Sequence, residues 1–227
     1  MFHLGFGVGT ELYQLFGLTA RRDNSPTRLT RKRYDRLAPF YDLLEKPLEG
    51  LQFAQWRGRL GERINGKCVL EVGVGTGKNI HYYPQDAKVT AIDISPRMLI
   101  RARRKAEAST LKVDLAEMDV QNLAFPDQSF DAVLATFVFC SVPDPVRGLR
   151  ELRRVSRPGG RLFLLEHMRP TNPVIGLLFD LLNPLVVRMM GANINRRTVE
   201  NIRRAGWEVL VEEDLFSDVV KWIEAKR

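Results

Sequence analysis

The sequence predicts an α/β fold, a largely parallel sheet with helices on both faces, and three observations carry that expectation. From residue 68 onward, short apolar runs alternate with amphipathic stretches, as strand–helix–strand units require. Ser95-Pro96 and Asp144-Pro145 each set an N-cap residue before a proline at the first helical position. The 227 residues, 44% hydrophobic and 27% charged, suffice for one such domain with modest appendages and no covalent staples.

Taken in order, residues 1–29 read as an apolar segment and a basic linker. Phe2, Leu4, Phe6, Val8, Leu12 and Tyr13 come first, and Arg21, Arg22 and Arg28 follow. Such a segment suits an interfacial membrane anchor with a polybasic flank, and equally a terminal helix docked on the body. Residues 23–27 look like a linker. The domain proper spans 30–227. Over 30–64, Tyr34, Leu37, Tyr41, Leu44 and Leu48 recur at helical spacing, and Pro39 and Pro47 are expected to divide this region into two short cap helices. Strands are expected at 68–72, 88–92, 115–119, 130–137, 161–166, 207–211 and 219–224, with helices at 79–83, 96–107, 145–155 and 197–205. Arg157-Pro158-Gly159-Gly160 reads as a helix exit, and the arginines of 97–105 and 147–157 as solvated outer helix faces. Residues 170–195 form an apolar insertion, suited to a substrate lid, a membrane contact or ordinary core packing.

Composition narrows the function. The net charge of +8 favours polyanions, either nucleic acid or acidic lipid headgroups. Cys68 and Cys140 have no partner at metal-ligand spacing, so neither a metal site nor a disulfide framework is expected, and a reducing cytoplasm is the simplest location. His3 and Glu11 are the only acidic or basic side chains in the first 20 residues, which lacks the basic start of a secretory signal. No apolar run reaches the roughly 18–20 residues that span a bilayer; a peripheral place on the inner membrane face stays open.

The chemistry centres on Glu71-Val72-Gly73-Val74-Gly75-Thr76-Gly77, which follows the first apolar strand. In an open α/β sheet a nucleotide-like ligand sits at that strand's carboxyl end, and glycines let backbone approach it. A dinucleotide site requires G-x-G-x-x-G, but Lys78 occupies the sixth place and the third glycine arrives one residue early. A phosphate loop requires a first glycine where Val72 stands, and Ser or Thr where Asn79 stands. Glu71 would repel a pyrophosphate and suits a cationic ligand. S-adenosylmethionine carries a sulfonium and an ammonium and no phosphate. Asp93 ends the next strand, where a carboxylate can accept from ribose hydroxyls. Asp119 ends the third, positioned for the adenine amino group, with the Val120 backbone as an adjacent donor.

These residues, with Phe125-Pro126-Asp127, Phe130-Asp131 and Arg157-Pro158-Gly159-Gly160, make the chain resemble a class I S-adenosylmethionine-dependent methyltransferase over roughly residues 30–225. The resemblance implies a Rossmann-like seven-stranded sheet in the order 3-2-1-4-5-7-6 with the last strand antiparallel. It also implies S-adenosylmethionine as cofactor, ribose binding by Asp93, and a cofactor set of Glu71, Gly73, Gly75, Gly77, Asp93, Ile94, Asp119, Val120 and Thr136.

Within that superfamily, the segment Arg33 to Asp42 is similar to quinone C-methyltransferases and bacterial phosphatidylethanolamine N-methyltransferases. Phe139 to Pro143, Glu166-His167 and Gly191 to Arg196 resemble membrane-associated thiol methyltransferases. All three imply a lipophilic acceptor, and phosphatidylethanolamine is the first expectation. Thiol S-methylation and quinone C-methylation are the alternatives; Gln121-Asn122 stands where the quinone enzymes carry an Asn-Asp pair. Methyl transfer from a sulfonium relies on alignment and desolvation. Proton handling falls to His167, Tyr34 and Tyr41 as catalytic candidates, with Glu166 nearby, and Cys140 is expected as pocket wall facing the methyl position. A nucleic-acid methyltransferase is disfavoured because Cys140-Ser141-Val142-Pro143 lacks the aromatic that holds a flipped base. A noncatalytic membrane-binding module is the remaining class. Expected partners are therefore a small-molecule or lipid acceptor and an anionic membrane surface, not nucleic acid.

Overall fold

The computed structural model describes residues 26–48, 52–64, 66 and 68–227; the apolar segment read as anchor or docked helix lies outside them. Seven strands, β1 (Cys68–Val72), β2 (Lys88–Asp93), β3 (Val113–Glu117), β4 (Phe130–Thr136), β5 (Ser156–His167), β6 (Glu208–Phe216) and β7 (Val220–Lys226), form one sheet in the order β3-β2-β1-β4-β5-β7-β6. Strands β1 to β5 pair in parallel, and β7 runs antiparallel to both β5 and β6. Strand order and the antiparallel last strand are those expected from the resemblance.

The pairing follows from burial. Val69, Leu70 and Val72 of β1 are fully enclosed, as a central parallel strand covered on both faces must be. Leu70 and Val72 share one core with Leu149 and Leu152, while Val69 shares the other with Leu60, Ile80, Phe163 and Trp222. Strand β6, at the sheet edge, alternates exposed and half-buried residues along its length.

Among the described residues there are seven α-helices: α1 (Pro26–Leu37), α2 (Tyr41–Leu48), α3 (Ala54–Arg63), α4 (Pro96–Glu107), α5 (Pro145–Val155), α6 (Pro173–Met190) and α7 (Thr198–Arg204). The two proline-marked starts are capped as their sequences predict: Ser95 Oγ accepts the Met98 N–H at 3.2 Å, and Asp144 Oδ1 that of Arg147 at 3.0 Å. Arg97, Arg103, Arg104, Arg147 and Arg150 lie on exposed surface.

Several boundaries differ from expectation. The cap region holds three helices instead of two; α1 begins at Pro26, inside the predicted linker, and Pro47 closes α2 instead of dividing it. Residues 79–83 make only a three-residue 3-10 turn, Ile80–Tyr82, because Pro84 holds Tyr83 extended at ψ 146°. Strand β3 starts two residues early and ends at Glu117, which leaves Asp119 in the following loop. Arg157-Pro158-Gly159-Gly160 is the start of β5, not a free turn: Ser156 pairs with Phe130 across a register shift, and Arg157 ion-pairs with Asp131.

Candidate active site

The carboxyl ends of β1, β2 and β4 and the loop after β3 border one cleft, roofed by α1 and α2. The roof is held by polar contacts. Thr27 donates to Asp119 at 3.3 Å, Thr30 to the Ser141 carbonyl at 3.4 Å, and Ser95 Oγ to Asp35 at 2.7 Å. From α2, Asp42 accepts from Thr76, and Glu45 pairs with Lys78 at 2.6 Å. Of the residues singled out from sequence, Gly73, Gly75, Asp93, Ile94, Asp119, Val120, Thr136, Tyr34 and Tyr41 line this cleft.

Two glycines of the loop differ in purpose. Gly75, at φ 55°, has open space where a Cβ would stand and borders the cleft. Gly77, at φ 80°, is outside the lining; a Cβ there would lie 2.7 Å from Ile80 and 3.0 Å from Ala102, so it serves helix packing.

Asp93 ends β2 with its carboxylate anchored: Oδ2 accepts the Gly75 N–H at 2.9 Å and Oδ1 that of Ser95 at 2.8 Å. Burial pushes its pKa up to about 6 against those hydrogen bonds. Glu71 lies beneath the cleft and not in its wall. Only 1% exposed, it accepts from Asn79 at 2.6 Å through Oε1, while Oε2 has no hydrogen-bond partner among the described residues. Burial pushes this carboxyl up to about 8, opposed by the Asn79 bond and the Arg57 charge. Arg57, 5% exposed on α3, donates to Asn79 at 2.8 Å and to Thr136 at 3.1 Å. Arg57, Lys78 and Glu45 line a smaller recess that shares Tyr41, Gly73, Gly75, Thr136 and Phe137 with the main cleft. The Arg57 guanidinium in the recess, with the Glu71 carboxyl buried behind it, suits a ligand bearing an ammonium and a carboxylate, as an amino-acid group does.

The proton-handling candidates separate. Tyr34 and Tyr41 face each other in the cleft at 6.4 Å between ring centroids, and burial raises both hydroxyls above their ordinary pKa, so they remain protonated. His167 does not line the cleft. The last residue of β5, it stacks on Phe137 at 4.5 Å, which in turn stacks on Phe53 at 4.7 Å. Burial holds its pKa below the ordinary imidazole value. Cys140 is likewise outside the lining: 4% exposed, its Sγ points to the Phe137 carbonyl at 3.5 Å, and burial raises its thiol. Glu166, on the opposite side of β5 from His167 by strand alternation, accepts the N–H groups of Val138 and Phe139 at 2.8 and 2.9 Å. It pins a turn that begins with Phe137 in the left-handed region at φ 57°.

Arg57, Asn79, Thr30, Met98 and Phe137 were not anticipated. Arg57 sits in a helix whose polar composition reads as surface, and Phe137 carries no local signal for its unusual φ. Gln121 explains one departure noted in the sequence. Its amide donates to both Asp119 oxygens at 3.0 Å and to Thr27 at 3.0 Å, and accepts from the Asp144 N–H at 2.9 Å, so it is committed to holding the cleft wall.

The model of the methyltransferase domain family matches residues 70–164. A phosphatidylethanolamine N-methyltransferase of Cereibacter sphaeroides is 44% identical over 115 residues, 49% of this chain and 57% of that enzyme. A demethylmenaquinone methyltransferase of Thermus thermophilus is 37% identical over 168 residues, 71% of this chain and 76% of that enzyme. Among solved structures, the [4+2]-cyclase SpnF superposes with a TM-score of 0.73 over 89% of this chain and 96% of its own at 19% identity. An S-adenosylmethionine-dependent methyltransferase of Mesorhizobium loti does so with a TM-score of 0.57 over 72% of this chain and 92% of its own, also at 19% identity. The structural likenesses show the fold, and the sequence relatives carry the assignment: this chain belongs to the class I S-adenosylmethionine-dependent methyltransferases.

Proposed function

We propose that this enzyme methylates the amino group of phosphatidylethanolamine. S-adenosylmethionine is the cofactor and supplies an electrophilic methyl group on a sulfonium. Asp93 is suited to hold the ribose, Asp119 and the Val120 backbone the adenine, and Glu71 with Arg57 the charged amino-acid end.

The observation that carries the acceptor class is that the cleft is lined by two buried tyrosine hydroxyls, Tyr34 and Tyr41. Burial raises the hydroxyls of Tyr34 and Tyr41. A phenol or thiol acceptor placed beside them would be pushed the same way, away from its nucleophilic anion. Desolvation pushes an ammonium in the opposite direction, toward the neutral nucleophilic amine, while the nearby carboxylates Asp93 and Glu45 attract the ammonium form into the cleft. Both tyrosines stay protonated, His167 is outside the lining, and Asp93, pushed up to about 6, is tied to the Gly75 and Ser95 N–H groups, an arrangement that disfavours general-base chemistry on a quinol or thiol. Tyr34 and Tyr41 can orient the amine through their hydroxyls. The 44% identity to a phosphatidylethanolamine N-methyltransferase points the same way.

Carbon methylation of a quinone is the second reading, favoured by the longer match to the demethylmenaquinone enzyme. Incubation with labelled methyl donor and separate panels of phosphatidylethanolamine vesicles, a demethylated menaquinone and alkyl thiols decides between them. Label is expected in the phospholipid. Label in the quinone or thiol with the phospholipid blank would overturn the proposal.

A further inference from the structure

Helix α6 reverses the surface pattern of α4 and α5, which pack on the sheet. Where α4 and α5 turn arginines outward, α6 exposes Val174, Leu178, Leu181, Leu185 and Met189 by 76, 51, 70, 56 and 71%. Their spacing of three and four residues places them on one face. Leu177, 56% exposed, lies beside them. The helix carries two charged residues. Asp180 is tied to Arg169 at 2.9 Å and to Asn195 at 3.1 Å, and Arg188 falls in the last turn, so no unpaired charge interrupts the stripe from Val174 to Leu185. An apolar stripe of this length on open surface marks an interaction site.

The helix is held by a small set of polar contacts. Asn172 caps it through the N–H groups of Val174 and Ile175, and Gly191 ends it at φ 81°. Asn183 accepts the Ile194 N–H at 2.9 Å, and Asn193 donates to the Cys140 carbonyl at 2.8 and 2.9 Å, which fixes α6 to the turn that borders the cleft. Gly191 packs against the Arg33 side chain of α1. Helix α1 adds Arg28, Arg31, Lys32, Arg33 and Arg36 against its single acid Asp35; Arg31 pairs with Glu117 at 2.8 Å, and Lys32 and Arg36 are exposed. Phe40, Leu43 and Leu44, at the start of α2, are a further 61, 69 and 60% exposed at the same end of the sheet. No helix among the described residues is long and apolar enough to cross a membrane.

We propose that α6, with the cationic α1 beside it, docks this protein on an anionic bilayer, laying the apolar stripe at the boundary between headgroups and acyl chains. An apolar face rimmed by cations is what such a boundary accepts. The cleft mouth is thereby brought to lipid-resident acceptors. The docking does not depend on which acceptor is methylated, and vesicle binding reads it without catalysis.

The test is co-sedimentation of the full chain with phosphatidylcholine vesicles, with and without phosphatidylglycerol. Wild type is expected to pellet with the anionic vesicles. Leu178→Glu/Leu181→Glu/Leu185→Glu, confined to exposed positions, is expected to lower that partition at least about tenfold while melting temperature and S-adenosylmethionine affinity stay unchanged. Lys32→Glu/Arg36→Glu should selectively weaken binding to the anionic vesicles and reduce its salt dependence. Pelleting of the triple variant at the wild-type level would overturn the proposal, as would a wild-type dimer that the triple variant splits without change in vesicle partition.

Discussion

Glu71 lies near the end of β1 with one carboxyl oxygen bonded to Asn79 and the other without a hydrogen-bond partner among the described residues. Its pKa rises on folding from 4.5 to about 8, so across that window the folded chain keeps a proton that the unfolded chain has lost. Stability of the ligand-free protein is therefore expected to fall as pH rises from about 5 to 8. Thermal melts of Glu71→Gln should show a flatter dependence; an equally steep one would remove Glu71 from the account. A cation bound beside this carboxyl favours its ionised form. Calorimetry in buffers of different ionisation enthalpy should thus show proton release on S-adenosylmethionine binding, approaching about one proton per site near neutral pH and smaller in Glu71→Gln. His167 supplies a contrasting case. Loss of a general base costs about 10²–10⁴-fold in rate. His167→Phe keeps an aromatic ring on Phe137, and its kcat should fall by less than about tenfold; a larger loss with KM unchanged would place the imidazole in proton transfer. The place of Glu71 before the glycine loop was legible in sequence, but its burial was not, since burial depends on Arg57 and Asn79 arriving from α3 and the turn after the loop.

At the scale of elements, the glycine loop divides its work. Gly77→Ala would drive a Cβ against Ile80 and Ala102 at φ 80°, and should lower stability by about 2 kcal/mol in denaturant unfolding. Gly75→Ala meets no such neighbours, and backbone strain alone should cost about 1 kcal/mol. Its methyl borders the cleft, so affinity for S-adenosylmethionine should fall more than stability does. Equal losses of stability in the two variants would show that the loop has one purpose. Proline and cap signals located α4 and α5 within the sequence because they act through nearest neighbours. Two elements were misread: the stretch at 79–83 shrinks to a turn under the adjacent Pro84, a local signal, whereas the predicted exit at 157–160 joins β5 because Ser156 finds its distant partner Phe130 in the sheet. Helix α6 was visible only as an apolar segment, since sequence does not say which side of such a helix faces solvent.

For the whole molecule, alternation of strands and helices declared the α/β class, but strand order came only with the resemblance, because nothing local to β6 or β7 says that β7 inserts between β5 and β6. That topology gathers Glu71, Asp93 and Asp119 at one end of the sheet, with α1, α2 and α6 around them. The result is a cofactor cleft whose roof and apolar flank stand together at the carboxyl end of the strands. The most direct measurement is a calorimetric titration of the full chain with S-adenosylmethionine, repeated with Asp93→Asn and with a nucleoside triphosphate. Saturable one-site binding by the wild type, weakened at least about tenfold in Asp93→Asn and absent for the triphosphate, is the predicted result. Undiminished affinity in Asp93→Asn, or saturable binding of the triphosphate in the same cleft, would contradict it.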